Sequence, residues 1–80
     1  MPNPMHDSQY AIFRALLIKW RERCRVTQVD LAARLRKPQS FVSKYERGER
    51  RLDLIEFIRV TEALDLDPVN ALKELVSALE

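Results

Sequence analysis

Eighty residues, 46% apolar and 32% charged, are enough for one domain with one small core and leave no room for a second. One glycine against four prolines argues against an all-β fold built on tight turns, and a single cysteine excludes an internal disulfide framework or a cysteine-rich zinc cluster. The net charge of +2 conceals a division: residues 1–52 carry twelve Lys/Arg against five Asp/Glu, a balance of +7, while residues 53–80 carry two against seven, a balance of −5. Such asymmetry suits one half of the chain to a polyanion, whether nucleic acid, an anionic membrane or an acidic protein; solvated helix faces are the plainer alternative. No apolar run is long enough to span a bilayer, and the opening MPNPMHDSQ lacks the basic and apolar regions of a signal peptide. A soluble, cytoplasmic, helical chain is expected.

The first eight residues read as a flexible start, with a folded domain over residues 9–80. From Ser8 to Cys24 the steps of four, three and four between Phe13, Leu17, Trp20 and Cys24 predict a helix, with Ile12 and Leu16 widening its apolar stripe. Cys24 on that stripe is expected to be a small buried apolar group. Thr27 is a candidate N-cap, with Asp30 placed to close a capping box, for a short second helix that turns Leu31, Ala32 and Leu35 inward. Pro38 biases Lys37 away from helical geometry and suits the start of a third helix, Gln39 to Arg47, whose apolar pair is Val42 and Tyr45. Gly48 follows as the expected left-handed terminator. Asp53 and Glu56 form a second capping-box signal for a fourth helix to about Leu64, offering Leu54, Phe57, Ile58, Val60 and Ala63 or Leu64 to the core. Asp67-Pro68 opens a fifth, Pro68 to Leu79, with Val69, Leu72, Leu75, Val76 and Leu79 apolar. The prediction is all-α: five helices, no strand.

Two short helices joined by a tight turn, the second followed by glycine, describe a helix-turn-helix at the second and third helices. In QVDLAARLRKPQSFVSKYER the apolar positions are Leu31, Leu35, Val42 and Tyr45, and Ala32 sits where a small side chain lets the helices cross closely. Gln39, Ser40, Phe41, Ser43 and Lys44 are left to face outward.

The stretch TQVDLAARLRKPQSFVSKYERGERRLD closely resembles the Cro and phage-repressor type of helix-turn-helix regulators, the XRE family, and the resemblance spans roughly residues 10–79. It implies a five-helix, lambda-repressor-like domain that binds double-stranded DNA through its third helix, without cofactor, metal or small-molecule ligand. It also implies a homodimer on an inverted repeat, whose contact the C-terminal helix is expected to supply. Gln39 and Ser40 match base-reading positions; the Gln amide suits adenine, and Lys44, one turn on, suits guanine. Ser43 is expected at a phosphate or a base. For Phe41, contact with a thymine methyl and packing within the protein stand as equal alternatives.

Thr27 and Gln28 match phosphate-contacting positions at the start of the second helix, where unpaired N–H groups favour an anion; Gln28 is also expected to brace Gln39. Lys37 in the turn and Arg47, Arg50 and Arg51 around Gly48 are expected to meet phosphates, which fix register without reading sequence. Arg21 and Glu46 match a partly buried ion pair joining the first helix to the third. Three positions depart from the family's pattern: Arg25, Arg36 and Asp65 stand where glycine is common, and a positive φ there costs of order 1 kcal/mol each.

Catalysis finds no support in the sequence. His6 is the only histidine and lies far from Cys24, with no phosphate loop and no supported carboxylate pair. The remaining alternative is an antitoxin-like or anti-repressor interaction module of the same fold, with weak or partner-dependent DNA binding.

Overall fold

A computed structural model describes the backbone of residues 4–80 and the side chains from Ser8 onward. The regular elements among these residues are all helical: α1 (Pro4–Arg23), α2 (Gln28–Leu35), α3 (Gln39–Glu46), α4 (Leu54–Ala63) and α5 (Pro68–Leu79). The expected number and order of helices hold, but α1 begins at Pro4 rather than Ser8. Of the start expected to be flexible, residues 1–3 and the side chains of residues 1–7 lie outside the described residues.

Caps set the boundaries. Thr27 Oγ1 accepts the Asp30 amide at 3.0 Å, so α2 is capped by Thr27, in one direction only. Asp53 and Glu56 complete a reciprocal box: Asp53 Oδ1 accepts the Glu56 amide at 2.7 Å, and Glu56 Oε1 accepts the Asp53 amide at 3.0 Å. Asp67 Oδ1 accepts the Val69 amide, with Pro68 opening α5.

The first four helices all stop in the same way. Arg25, Arg36, Gly48 and Asp65 have φ of 60°, 57°, 80° and 59°. Around Arg25 the amides of Arg25 and Val26 bond to the carbonyls of Glu22 and Arg21, and equivalent pairs of bonds surround the other three positions. This paired arrangement is the Schellman motif, which satisfies the last carbonyls of a helix by turning the next residue left-handed. Non-glycine residues hold three of the four sites, so each retains some strain.

The core forms where α2 packs on α3 and α4, α1 on α3 and α5, and α4 on α5. Leu17, Trp20, Leu31, Val42, Tyr45, Val60 and Thr61 are fully enclosed. Ala32 is buried at the α2–α3 crossing, as its size requires. Tilted aromatic pairs knit α1 to α4, with Phe57 5.8 Å from Phe13 and 6.3 Å from Trp20. Trp20 Nε1 donates to Glu74 Oε1 at 3.0 Å and ties α1 to α5. Cys24 is half-buried, its thiol facing the Leu64 carbonyl at 3.6 Å.

Two core expectations, Leu54 and Ile12, need correction. Leu54 at 65% exposure faces solvent, because α4 turns Phe57, Val60 and Thr61 inward instead. Ile12 lies at the edge of the α1 stripe and is exposed. On α5 only Ala71 is buried and Leu75 is partly so, while Val69, Leu72, Val76 and Leu79 remain outside.

Candidate nucleic-acid interface

The helix-turn-helix presents an eight-residue α3 whose inner side holds Val42 and Tyr45 in the core. Gln39, Ser40 and Lys44 are exposed, and their side chains make no hydrogen bond or ion pair among the described residues. Ser43 is half-buried and its hydroxyl folds back to donate to the Ser40 carbonyl at 3.4 Å. Phe41, expected to face outward, is buried: its ring meets Tyr45 edge-on at 5.6 Å, with Arg50 and Lys37 over it at 4.7 Å and 5.6 Å. An aromatic ring leaves water readily and its face attracts cations. The packing alternative therefore replaces the thymine-methyl contact.

A pair of buried charges fixes the orientation of α3. Arg21 Nε donates to Glu46 Oε2 at 2.6 Å and Nη2 to Oε1 at 3.0 Å, while Nη1 donates to the Val26 carbonyl at 2.9 Å. The two side chains are only 12% and 5% exposed. Hydrogen bonding to Glu46 holds the Arg21 guanidinium above its ordinary pKa despite partial burial. Gln28 Nε2 donates to the same Glu46 Oε1 at 2.8 Å. Gln28 thus braces Glu46 rather than Gln39, and its amide side chain is turned into the protein. The Tyr45 hydroxyl beside this cluster has no partner among the described residues, and burial pushes its pKa well above the usual phenol value.

Cations surround α3 on the exposed side. Lys37 precedes it, and Arg47, Arg50 and Arg51 follow it. Arg47 pairs with Glu49, Nε to Oε2 at 2.7 Å, which lowers the Glu49 carboxyl pKa. Arg50 forms a two-bond fork with Glu56 at 3.0 Å and 2.7 Å, and that bonding pulls the Glu56 carboxyl down to about 2. Arg51 lies over the Tyr10 ring at 4.5 Å, and the Tyr10 hydroxyl accepts the Leu52 amide at 3.0 Å. Arg14 rests against Gly48, its Nη1 where a side chain on that residue would begin.

Sequence reasoning missed Tyr10, Arg14, Glu49 and the loop role of Glu56. Only Glu56 carried a signal, its capping box, and that signal pointed to α4 rather than to Arg50. No group of three or more His, Cys, Asp or Glu among the described residues is placed to hold a metal, and no helix there is long and apolar enough to cross a membrane.

Comparison with known proteins agrees with this geometry. Residues 17–69 match the model of the helix-turn-helix family HTH_3. A solved structure of an XRE-family like protein from Pseudomonas syringae pv. tomato str. DC3000 is similar at a TM-score of 0.87 and 43% identity, over 92% of this chain and 90% of that one. No curated protein matches the chain. With the family model covering most of the chain, and a relative this similar along nearly all of it, the protein belongs to the XRE family of Cro/C1-type helix-turn-helix proteins, with a lambda-repressor-like fold.

Proposed function

We propose that this DNA-binding helix-turn-helix regulator recognises a specific double-stranded sequence and acts in the cytoplasm as a transcriptional repressor, as a homodimer on an inverted repeat. One observation carries the reading. Gln39, Ser40 and Lys44 stand exposed and unengaged on a short helix that the Arg21–Glu46 pair holds rigidly from behind. Side chains with amide, hydroxyl and ammonium groups at the start and middle of such a helix are those that address base edges in the major groove. Thr27, Lys37, Arg47 and Arg51 take the phosphates. Glu49 must give way for Arg47 to do so.

One eight-residue helix reads too few base pairs for useful specificity, and two half-sites about 34 Å apart double the information. The exposed stripe Val69, Leu72, Val76 and Leu79 on α5 supports a second copy as its occupant. Its spacing of three, four and three, with valine and leucine alternating, is the pattern that favours two-stranded helix pairing.

Selection from a random duplex pool at physiological salt, with the mass of the retained complex measured, tests the proposal. Enrichment of an inverted repeat by a dimer is expected. Binding that is salt-sensitive but shows no sequence enrichment would instead favour the partner-dependent interaction module.

A further inference from the structure

The loop after the recognition helix, residues 47–53, carries three arginines: Arg47 forks onto Glu49 at 2.7 Å and 3.3 Å, a carboxylate with no other bond among the described residues, whereas the middle arginine is held by a carboxylate that is itself anchored. Arg50 Nη1 and Nη2 close a planar fork on Glu56 Oε1 and Oε2 at 3.0 Å and 2.7 Å. Arg50 Nη1 also donates to the Arg51 carbonyl at 3.1 Å. The guanidinium carbon sits 4.7 Å from the centroid of the Phe41 ring. Glu56 is itself fixed, since its Oε1 accepts the Asp53 amide while its own amide donates to Asp53 Oδ1. A single planar cation therefore joins α3, the loop and the first turn of α4.

A phosphate ligand needs its donor fork open to the phosphate. Here the fork is closed on a carboxylate that the Asp53 amide holds in place, which also cancels the cation's charge; the Glu49 fork on Arg47 is more exposed and has no such anchor. The opposite side of the loop is pinned separately, by the Tyr10 hydroxyl on the Leu52 amide and by the Tyr10 ring under Arg51. Phe41, packed edge-on against Tyr45 within the core, offers the ring face on which the guanidinium stacks.

We propose that Arg50 is a positioning residue rather than a phosphate ligand: stacked on Phe41 and locked to Glu56, it fixes the 47–53 loop against α3 and with it the angle at which α3 is presented to the bases. The proposal rests on the DNA-binding reading, and its own content is the division of labour among the arginines. Lysine keeps the charge but has neither the fork nor the stacking plane, so Arg50→Lys should behave as Arg50→Ala does.

The test compares wild type, Arg50→Ala, Arg50→Lys and Glu56→Gln on a duplex recovered by the selection above and on a scrambled duplex, across a range of salt. Both Arg50 variants and Glu56→Gln should weaken the selected duplex by about fivefold, corresponding to one charge-assisted contact at a partly exposed site. The scrambled duplex should change little, and the slope of log affinity against log salt should stay as in wild type. A slope reduced by about 0.9 in Arg50→Ala, with both duplexes weakened alike, is the signature of a lost phosphate contact and would overturn the proposal. Rescue by lysine would overturn it too, as would tighter binding by Glu56→Gln. Amide exchange in the free protein separates this idea from the DNA-binding reading. Arg50→Ala should speed exchange at Leu52 and Glu49 even if no duplex is ever enriched, and unchanged exchange there would refute the positioning role whatever the DNA results.

Discussion

Arg21 on α1 and Glu46 at the end of α3 form a closed two-bond fork, and Gln28 at the start of α2 adds a third bond to the same carboxylate. Three helices thus meet at one buried charge. A carboxylate at the end of a DNA-facing helix would otherwise repel phosphates, and here it is enclosed, neutralised and used as the anchor that sets the tilt of α3. Arg21 is correspondingly engaged within the protein despite its charge.

Removing the anchor should be costly. Glu46→Ala leaves the Arg21 guanidinium enclosed without its partner, which for a buried pair costs about 3 kcal/mol. In a domain of this size that lowers the melting temperature by more than about 10 °C. DNA affinity should fall with it. Thermal unfolding followed by circular dichroism checks the first part, and an unchanged midpoint would mean that the pair contributes nothing in solution.

Much of this was legible in the sequence for identifiable reasons. Caps and terminators are local, so Thr27, Asp53, Asp67 and Gly48 marked four boundaries from residue type alone. The helix-turn-helix was legible because its steric demands concentrate at Leu31, Ala32, Val42 and Tyr45. What failed was side-chain choice on a surface. Phe41 has polar neighbours in sequence, and the contacts that enclose it, Tyr45 edge-on and Arg50 and Lys37 over its ring, depend on tertiary packing that periodicity does not encode. Leu54 and Val69 fit an apolar stripe, yet the burial of Thr61 and Ala71 shows that small residues took the close-packed places. Long polar side chains select among partners that neither periodicity nor resemblance encodes, so Gln28, expected at a phosphate and against Gln39, is found on Glu46.

The left-handed terminators allow two substitutions of opposite sign. Arg25 at φ 60° pays a steric cost that glycine avoids. Against that relief stands the greater freedom glycine gives the unfolded chain, so Arg25→Gly should stabilise by a net of about 0.5–1 kcal/mol. Gly48→Ala should destabilise by about 1–2 kcal/mol, since φ 80° disfavours any side chain and Arg14 must move aside. Paired thermal melts settle both, and equal midpoints for all three proteins would remove the strain argument.

Acid should expose the Arg50–Glu56 lock. The folded Glu56 pKa of about 2 lies below its ordinary 4.5, because of the Arg50 fork first and the Asp53 amide second. A depressed carboxylate contributes stability that is complete above the ordinary value and is lost as pH falls toward the folded one. Wild type should therefore lose stability between about pH 4.5 and 2, and Glu56→Gln, lacking this titration, should show a shallower decline over that window. Melting midpoints measured at half-unit steps provide the comparison; parallel acid limbs would deny Glu56 this role.

Val76 separates the proposed pairing of two copies along α5 from folding. At 48% exposure it adds little to the monomer's core. Val76→Asp should leave the melting temperature of dilute protein nearly unchanged while a charge on each copy opposes pairing along α5. Light scattering should then report the monomer mass, and affinity for a two-half-site duplex should drop toward that for a single half-site. A collapsed melting temperature would place Val76 in the core, and an unchanged dimer mass would move the interface away from α5.

The strongest separation of roles concerns Lys44 and Arg51. Lys44 is exposed on α3 without a partner among the described residues, one turn beyond Gln39 and Ser40, and is proposed to address a base edge. Arg51 stands on the loop over the Tyr10 ring and is proposed to take a phosphate. Lys44→Ala should cost about 1–3 kcal/mol on the selected duplex and relax preference at one base position. Arg51→Ala should weaken selected and scrambled duplexes alike and flatten the salt slope by about 0.9. The contrast is internal, since each variant serves as the other's control for folding and concentration. Equal losses on both duplexes from both variants would mean that α3 adds charge rather than sequence discrimination, and the regulator would then owe its specificity to something other than Lys44.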